Sequence, residues 1–243
     1  MTRFIRAFAE HSPMEVGEEM TLPDKESAHL SRVLRLQNGD SLEVLDGKGG
    51  CFPSVCLESN RSKVTVRVLK LVHDSPDPCS ISMAVALGKG NKWEELIRPL
   101  TELGVTRLTP LITERTEGAF SMAKLEEKKE RWIKIAREAC KQSGNPWMPS
   151  LEDPIPFTDK VTQIEDGEDC WIGSLRDDSI ALSPKLGISS LSIFIGPEGG
   201  WSEEEEESAR VQGFSFFTLG NHALRVETAA ISALAVARQC MLC

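Results

Sequence analysis

The sequence contains no long hydrophobic run. None of the apolar stretches in its 243 residues approaches the ~20 residues that a membrane-spanning helix needs. Residues 1–6 lack the apolar core and the cleavage site of a signal peptide. The composition, with 40% hydrophobic and 27% charged residues, is that of an ordinary globular protein. We therefore expect a cytoplasmic protein without a membrane partner, with room for two domains of unequal size.

Motifs for dinucleotides, nucleoside triphosphates and structural metals are also missing. No Gly-x-Gly-x-x-Gly occurs, and residues 88–92, the nearest approach to a phosphate loop, lack the hydroxyl residue that holds magnesium. The seven cysteines are scattered, and only Cys240 and Cys243 form a Cys-x-x-Cys. Because a structural zinc site needs four soft ligands at close spacing, we expect no metal site.

The negative charge of the chain is concentrated in its last third. The formal net charge is -9, which at first argues against a nucleic-acid partner. Residues 1–72 contain ten basic and ten acidic side chains, residues 86–150 twelve and nine, and residues 151–243 six and sixteen. The first 150 residues can therefore still contact phosphates.

The N-terminal part of the chain is predicted to be rich in β-structure. Residues 41–45 and 64–69 alternate between apolar and polar side chains, and the glycines in residues 46–50 are typical of a hairpin turn. Residues 27–36 predict a short helix, with an apolar side at Leu30, Val33 and Leu34 and a basic side at Arg32 and Arg35.

The two prolines in residues 73–78 indicate a linker. We expect a β domain at 1–72, a linker at 73–79 and a second domain at 80–243.

The second part alternates between strands and helices. Apolar runs predict strands at 81–87, 108–112, 170–175, 191–195 and 214–219. Helical periods cover 93–103, 128–142, 203–212 and 226–239. This alternation predicts an α/β domain with a largely parallel sheet, which binds ligands at the loops beyond the carboxyl ends of its strands.

Two loops of this domain are candidates for ligand binding. Residues 196–202, Gly-Pro-Glu-Gly-Gly-Trp-Ser, follow a predicted strand, and Ser202 with Glu205 fits a helix capping box. The glycines allow either a close approach to a ligand or a tight turn without one. The acidic residues that follow suit a positively charged cofactor such as S-adenosylmethionine better than a pyrophosphate. The second loop, residues 219–229, also connects a strand to a helix, and Arg225 and Glu227 flank the helix start.

The chain resembles the uracil-N3-methyltransferases of ribosomal RNA in the SPOUT superfamily (the RsmE group). The matching segments occur in the expected order and cover nearly the whole chain: 3–4, 29–40, 89–94, 101–105, 110 with 113–115, 130–132, 142–143, 196–200 and 224–229. Three positions depart from the usual pattern of that family. Asn145 stands where an arginine is usual, and Arg98 stands where a lysine is usual. His222-Ala223 replaces a usual Arg-Ile pair. Either the three departures are tolerated variants, which the general mildness of surface substitutions favours, or histidine at position 222 weakens a phosphate contact or makes it dependent on pH.

The resemblance implies the fold, the cofactor and the partners. The C-terminal domain would be a deep trefoil knot that binds S-adenosylmethionine and forms a homodimer, behind a small PUA-like β barrel. The substrate would be one uridine near the 3′ end of 16S ribosomal RNA, methylated at N3 in free RNA or in the assembled small ribosomal subunit.

Site residues follow from the chemistry and the resemblance together. Methylation of N3 requires a base for its proton or a cation for the charge that develops on the uracil oxygens. We predict that Arg225 stabilises this charge or a nearby phosphate and that Glu198 or Glu227 is the base. The predicted cofactor contacts are Leu175, Gly196, Pro197, Glu198, Gly199, Gly200, Leu219, Gly220, Leu224 and Thr228. The predicted RNA contacts are Arg3, Arg6, Arg32, Arg35, Lys89 and Lys92.

Three alternatives stay open at this point. A methyltransferase of the same fold could act on another position, such as the ribose 2′-oxygen. A ribosome-assembly protein could bind RNA with strong salt dependence and without catalysis. A dinucleotide oxidoreductase is the third alternative, and the missing glycine fingerprint argues against it.

Overall fold

The computed structural model describes residues 5–10, 15–73, 75–76, 79–88, 90–116 and 125–241. Contacts within it divide the chain into two compact units. The first comprises Met1–Pro76 and Arg137–Met148, and the second comprises Asp77–Ala136 and Pro149–Cys243. No helix in these described ranges combines the length and the apolar character that crossing a membrane requires.

The first unit is built on a six-stranded, mainly antiparallel sheet. Its strands are β1 (Arg6–Phe8), β2 (Glu19–Thr21), β3 (Ser41–Leu45), β4 (Gly50–Ser59), β5 (Val64–Val68) and β6 (Val72–His73). They run in the order β1-β3-β4-β5-β2, with β6 paired to β4. Leu42, Val44, Val64, Val66 and Val68 are buried. The predicted strands and hairpin are thus confirmed, because alternation places every second side chain on the core face.

The predicted helix at 27–36 differs in form from the expectation. Helix α1 (Asp24–Ala28) begins earlier and continues as a π-helical turn, His29–Leu34. Arg35 then ends this turn in the left-handed conformation, with φ 55°. Because a π-turn has a longer period than an α-helix, Leu30 is buried while Val33 is 64% exposed. The prediction of Val33 on the apolar side is therefore wrong.

The second unit contains an eight-stranded sheet in which every recorded pairing is parallel. Its strands are β7 (Ser80–Ala86), β8 (Arg107–Ile112), β9 (Ser150–Leu151), β10 (Ile155–Pro156), β11 (Asp169–Gly173), β12 (Ile180–Ala181), β13 (Ser190–Ile195) and β14 (Ser215–Thr218). Their order is β10-β8-β7-β13-β11-β14-β12, with β9 also paired to β8. The prediction of a parallel α/β sheet is confirmed.

Four helices begin and end close to the predicted residues, namely α2 (Lys92–Glu102), α3 (Leu125–Ser143), α5 (Glu203–Val211) and α6 (Val226–Met241). The last part of α3, from Arg137, belongs to the first unit. The short helix α4 (Phe157–Lys160) was not predicted. An aromatic core packs below the carboxyl ends of the strands. The ring centroids of Phe194 and Phe214 are 4.9 Å apart, and those of Phe157 and Trp201 are 4.8 Å apart. This core contacts the loop after β13 directly, through Trp201.

Candidate active site

A cavity of about 500 Å³ opens where three neighbouring strands of the second unit end. Its walls come from the loops after β11, β13 and β14, with further contributions from α5 and α6. The lining residues are 173–176, 195–201, 217–219, 222–224, Glu206, Val226 and Ala229. Because β13, β11 and β14 are adjacent in the sheet, loops that are distant in sequence meet at one edge. This position and this size are typical of small-molecule and cofactor sites.

The floor of the cavity is packed closely around Trp201. This side chain is buried, and its Nε1 donates to the carbonyl oxygen of Gly173 at 2.9 Å. A Cβ atom on Gly196 would lie 2.9 Å from Cε2 of Trp201, a distance too short for a real contact. Gly196 is therefore required by the packing of the protein itself, whether or not a ligand is bound.

The next glycines of this loop face open space or a single side chain. We call residues 196–202 the pocket loop. Gly200 has φ +71° and nothing within 4 Å of a Cβ position, so its glycine is required by the left-handed backbone. A Cβ on Gly199 would make only ordinary contacts, at 3.4 Å to Cβ and 3.5 Å to Cδ of Arg115. Packing against a Cβ atom therefore does not by itself require a glycine at position 199.

The pocket loop ends in the predicted capping box, which is confirmed. The Ser202 hydroxyl accepts from the backbone N–H of Glu205 at 3.3 Å, and Ser202 N–H donates to Oε2 of Glu205 at 2.9 Å. The second oxygen of this buried carboxylate accepts from Glu114 N–H at 2.9 Å. Glu205 therefore fixes the helix start and holds the turn after β8 against it.

Both carboxylates that line the cavity are held by cations. Glu198 accepts from Lys92 Nζ at 2.5 Å. Glu206 accepts from Arg176 Nη1 and from the Ser174 hydroxyl, each at 2.8 Å. The negative charges of these two carboxylates are thus partly neutralised. Glu198 is therefore a weaker candidate for the base than the sequence suggests.

The three predicted catalytic residues lie near one cation. The pKa of Lys92 is raised, chiefly because its ammonium donates a hydrogen bond to Glu198. Attraction by Glu198 and Glu227 adds to this increase, while desolvation and, to a smaller extent, repulsion by Arg225 oppose it. Oε2 of Glu227 is buried, and it has no hydrogen-bond partner among the described residues. A buried carboxylate oxygen without a partner is unfavourable unless a proton or a ligand satisfies it.

The loop after β14 contrasts with the pocket loop. We call residues 219–225 the exposed loop, because residues 220–225 are all exposed. Leu224 is 42% exposed and Leu175, in the loop after β11, is 61% exposed, although both line the cavity. His222 and Ala223, which depart from the family pattern, line it as well.

The predicted cofactor contacts mostly line this cavity. Gly220, Thr228, Arg225 and Glu227 are not among the lining residues in the described part of the chain. Their roles, like those of the lining residues, stay predictions. Sequence reasoning gave no role to Trp201, Arg176, Glu206 and Arg115, although residues 113–115 and 196–200 carry the family resemblance.

The predicted RNA contacts are scattered, and several have partners within the protein. Arg6 pairs with Glu43 at 2.7 Å and also donates to the carbonyl oxygen of Lys141 at 3.1 Å. Arg32 is exposed and donates to the carbonyl oxygen of Arg61 at 3.1 Å, while Arg35 is exposed next to the π-turn. Arg3 and Lys89 lie outside the described residues.

Residues 75–238 match the RNA methyltransferase domain family, and residues 22–69 match the RNA methyltransferase PUA domain. The chain belongs to the RNA methyltransferase family. It is 38% identical over 222 residues to the ribosomal RNA small subunit methyltransferase E of Synechocystis sp., covering 89% of this chain and 71% of the relative. The enzyme of that name from Bacillus subtilis is 31% identical, with 94% of each chain covered.

A solved structure extends the similarity to three dimensions. The ribosomal RNA small subunit methyltransferase E from Neisseria gonorrhoeae, bound to S-adenosylmethionine, superimposes with a TM-score of 0.90. It is 26% identical, and 98% of each chain is covered. The expected family is thereby confirmed for the whole chain.

Proposed function

We propose that this protein methylates N3 of one uridine near the 3′ end of 16S ribosomal RNA, with S-adenosylmethionine as the methyl donor. The observation that carries the proposal is the cavity at the carboxyl edge of the parallel sheet, in a chain of the RNA methyltransferase family. When bound, this cofactor would supply an electrophilic methyl group on a sulfonium, so that transfer of the methyl group to N3 would release S-adenosylhomocysteine and the N3 proton would pass to a base.

The residues of the cavity fit such a cofactor. Gly199 and Gly200 line the cavity, and Gly200 leaves open space where a side chain would stand. Backbone without a side chain lets an adenine and a ribose approach closely. Leu175, Leu219 and Leu224 provide apolar walls around them. We propose that Gly196, Pro197, Glu198, Gly220 and Thr228 complete the binding site.

Arg225 and Glu227 are the groups that we propose to act on the uracil. Arg225 would stabilise the negative charge that develops on the carbonyl oxygens as N3 loses its proton. Glu227 would accept that proton, because it has a carboxylate oxygen without a partner, whereas Glu198 is held by Lys92. Proton transfer by a positioned carboxylate accelerates such a reaction by roughly 10²–10⁴-fold.

The finer features of the fold and of the partners belong to the same proposal. The second domain, 80–243, would be a deep trefoil knot, and 1–72 a PUA-like barrel joined to it by 73–79. The protein would act as a homodimer in the cytoplasm. Arg3, Arg6, Arg32, Arg35, Lys89 and Lys92 would contact the RNA.

One experiment tests the reaction, the cofactor and the substrate together. The purified protein is incubated with labelled S-adenosylmethionine and either unmodified small ribosomal subunits or free ribosomal RNA, and any methyl group is mapped by nuclease digestion and mass spectrometry. We expect 3-methyluridine at a single site. A methyl group on a ribose 2′-oxygen would assign a different reaction, and RNA binding without any incorporation would favour the non-catalytic alternative.

A further inference from the structure

The pocket loop is held by two side chains that are absent from the described lining of the cavity. Arg115, in the turn after β8, donates from Nη1 to the carbonyl oxygen of Gly199 at 3.0 Å. Lys92, the first residue of α2, donates to Oε1 of Glu198 at 2.5 Å. Both acceptor residues line the cavity. The two cations therefore contact the loop and leave the cavity to a ligand.

A glycine at the end of β7 makes room for the Lys92 contact. A Cβ atom on Gly88 would lie 3.1 Å from Cδ of Lys92 and 3.3 Å from Oε1 of Glu198. Both distances are shorter than most real contacts of a Cβ atom. A Cβ atom at position 88 would therefore push these two side chains by a few tenths of an ångström.

The turn that carries Arg115 also fixes the end of the pocket loop. Glu114 N–H donates to Oε1 of Glu205, whose other oxygen accepts from Ser202 N–H. Two successive residues of this turn thus determine the positions of Gly199 and Ser202. The loop is held from the side of β8 at two points that are three residues apart.

The start of α2, from which Lys92 extends, is itself fixed by α3. Glu94 pairs with Arg131 Nε at 2.8 Å, and its side chain is only 11% exposed. The rings of Trp93 and Trp132 lie next to each other, with centroids 5.8 Å apart. Contacts with α3 therefore hold the two residues that follow Lys92 on α2.

We infer that Arg115 is a positioning residue for the cofactor loop and that Lys92 is a second one. The inference rests on the proposed function, because it names the residues that hold its cofactor site in shape. A loop that is already in its bound conformation loses less conformational entropy when a ligand binds. Loss of either contact therefore weakens cofactor binding, roughly tenfold for one charge-assisted hydrogen bond.

The test is a calorimetric titration of S-adenosylmethionine and S-adenosylhomocysteine, without RNA, into wild type, Arg115→Ala and Lys92→Met. We expect a Kd roughly tenfold higher in both variants, with part of the affinity restored in Arg115→Lys. For Arg115→Ala we also expect kcat at saturating cofactor to be near that of wild type. The absence of RNA separates this role of Lys92 from its proposed RNA contact.

Two matched controls remove the same charges from ion pairs elsewhere in the second unit. Arg107→Ala breaks a pair with Glu152, and Lys129→Met breaks a pair with Asp153. Both should bind the cofactor like wild type, and thermal midpoints should be similar in all five variants. The inference is overturned if Arg115→Ala keeps its affinity, if the controls lose as much, or if affinity falls only in step with stability.

The same titrations separate this inference from the proposed reaction. A wild-type protein that binds the cofactor and transfers no methyl group would refute the reaction, while the comparison of Kd values would still decide the role of Arg115. A wild-type protein that binds no cofactor would overturn both.

Discussion

The pocket loop and the exposed loop both connect a parallel strand to a helix, yet they are held very differently. The pocket loop is fixed by Arg115, by Lys92, by the capping box and by the packing of Trp201 under Gly196. The hydrogen bonds found for the exposed loop, within the described residues, are local ones, such as that from the Thr218 hydroxyl to the Gly220 carbonyl oxygen at 2.6 Å.

This difference indicates that the two loops have different functions. A preformed loop suits a cofactor that binds in every reaction cycle, because little ordering is needed when it binds. A loop with few contacts to the protein suits a large substrate, whose binding can supply the missing contacts. We therefore expect substitutions in the pocket loop to affect cofactor affinity and stability, and substitutions in the exposed loop to affect turnover.

The largest effect is expected from Gly199→Val. A Cβ at this position would already contact Cβ and Cδ of Arg115, at 3.4 and 3.5 Å, so the two methyl groups of valine would displace the side chain that donates to the Gly199 carbonyl oxygen. Because the backbone could then no longer approach the cofactor closely, binding of S-adenosylmethionine should be lost in a calorimetric titration. Normal affinity in this variant would show that the loop does not contact the cofactor.

The corresponding change in the exposed loop is Arg225→Ala. It should leave the cofactor Kd near that of wild type and lower kcat at least about tenfold, which corresponds to about 1.4 kcal/mol of barrier. Methyl incorporation at saturating cofactor measures this directly. If turnover is unchanged, the proposed stabilisation of the uracil oxygens by Arg225 is wrong.

A pair of glycine substitutions compares the stability of the two loops. Gly196→Ala should lower the free energy of unfolding by about 1–3 kcal/mol, because its methyl group would collide with Trp201. Gly220→Ala meets no atom within 4 Å, and its cost of ~1 kcal/mol comes from the positive φ of +142°. Chemical denaturation measures both, and equal losses would contradict the packing difference.

The smallest effect is expected at the cap of α5. Ser202→Ala removes the hydroxyl that accepts from Glu205 N–H and should lower the free energy of unfolding by about 1 kcal/mol. Ser208→Ala, within the same helix, serves as the control and should change stability by less than this. A larger loss at position 208 would mean that the cap does not hold the end of the pocket loop.

The sequence predicted those features that depend on neighbours along the chain. The alternation in residues 41–45, the helical stripe around Trp132 and the capping box at Ser202 each involve residues a few positions apart. Short strands such as β9, β10 and β12 were missed because two residues carry no period. The π-turn at His29–Leu34 was missed because its apolar residues also fit an α-helix.

By itself, then, the sequence determined most of the longer helices and the strands with a clear period, the two glycine-containing loops and the resemblance to an RNA methyltransferase. Only the tertiary structure decided that Lys92 meets Glu198 and that Arg115 meets Gly199, since these pairs are 106 and 84 residues apart. These two contacts depend on the order of the strands in the sheet, which brings distant parts of the chain together. Local periodicity fixes which residues form a strand, but the neighbours of that strand depend on how the whole sheet buries its two faces.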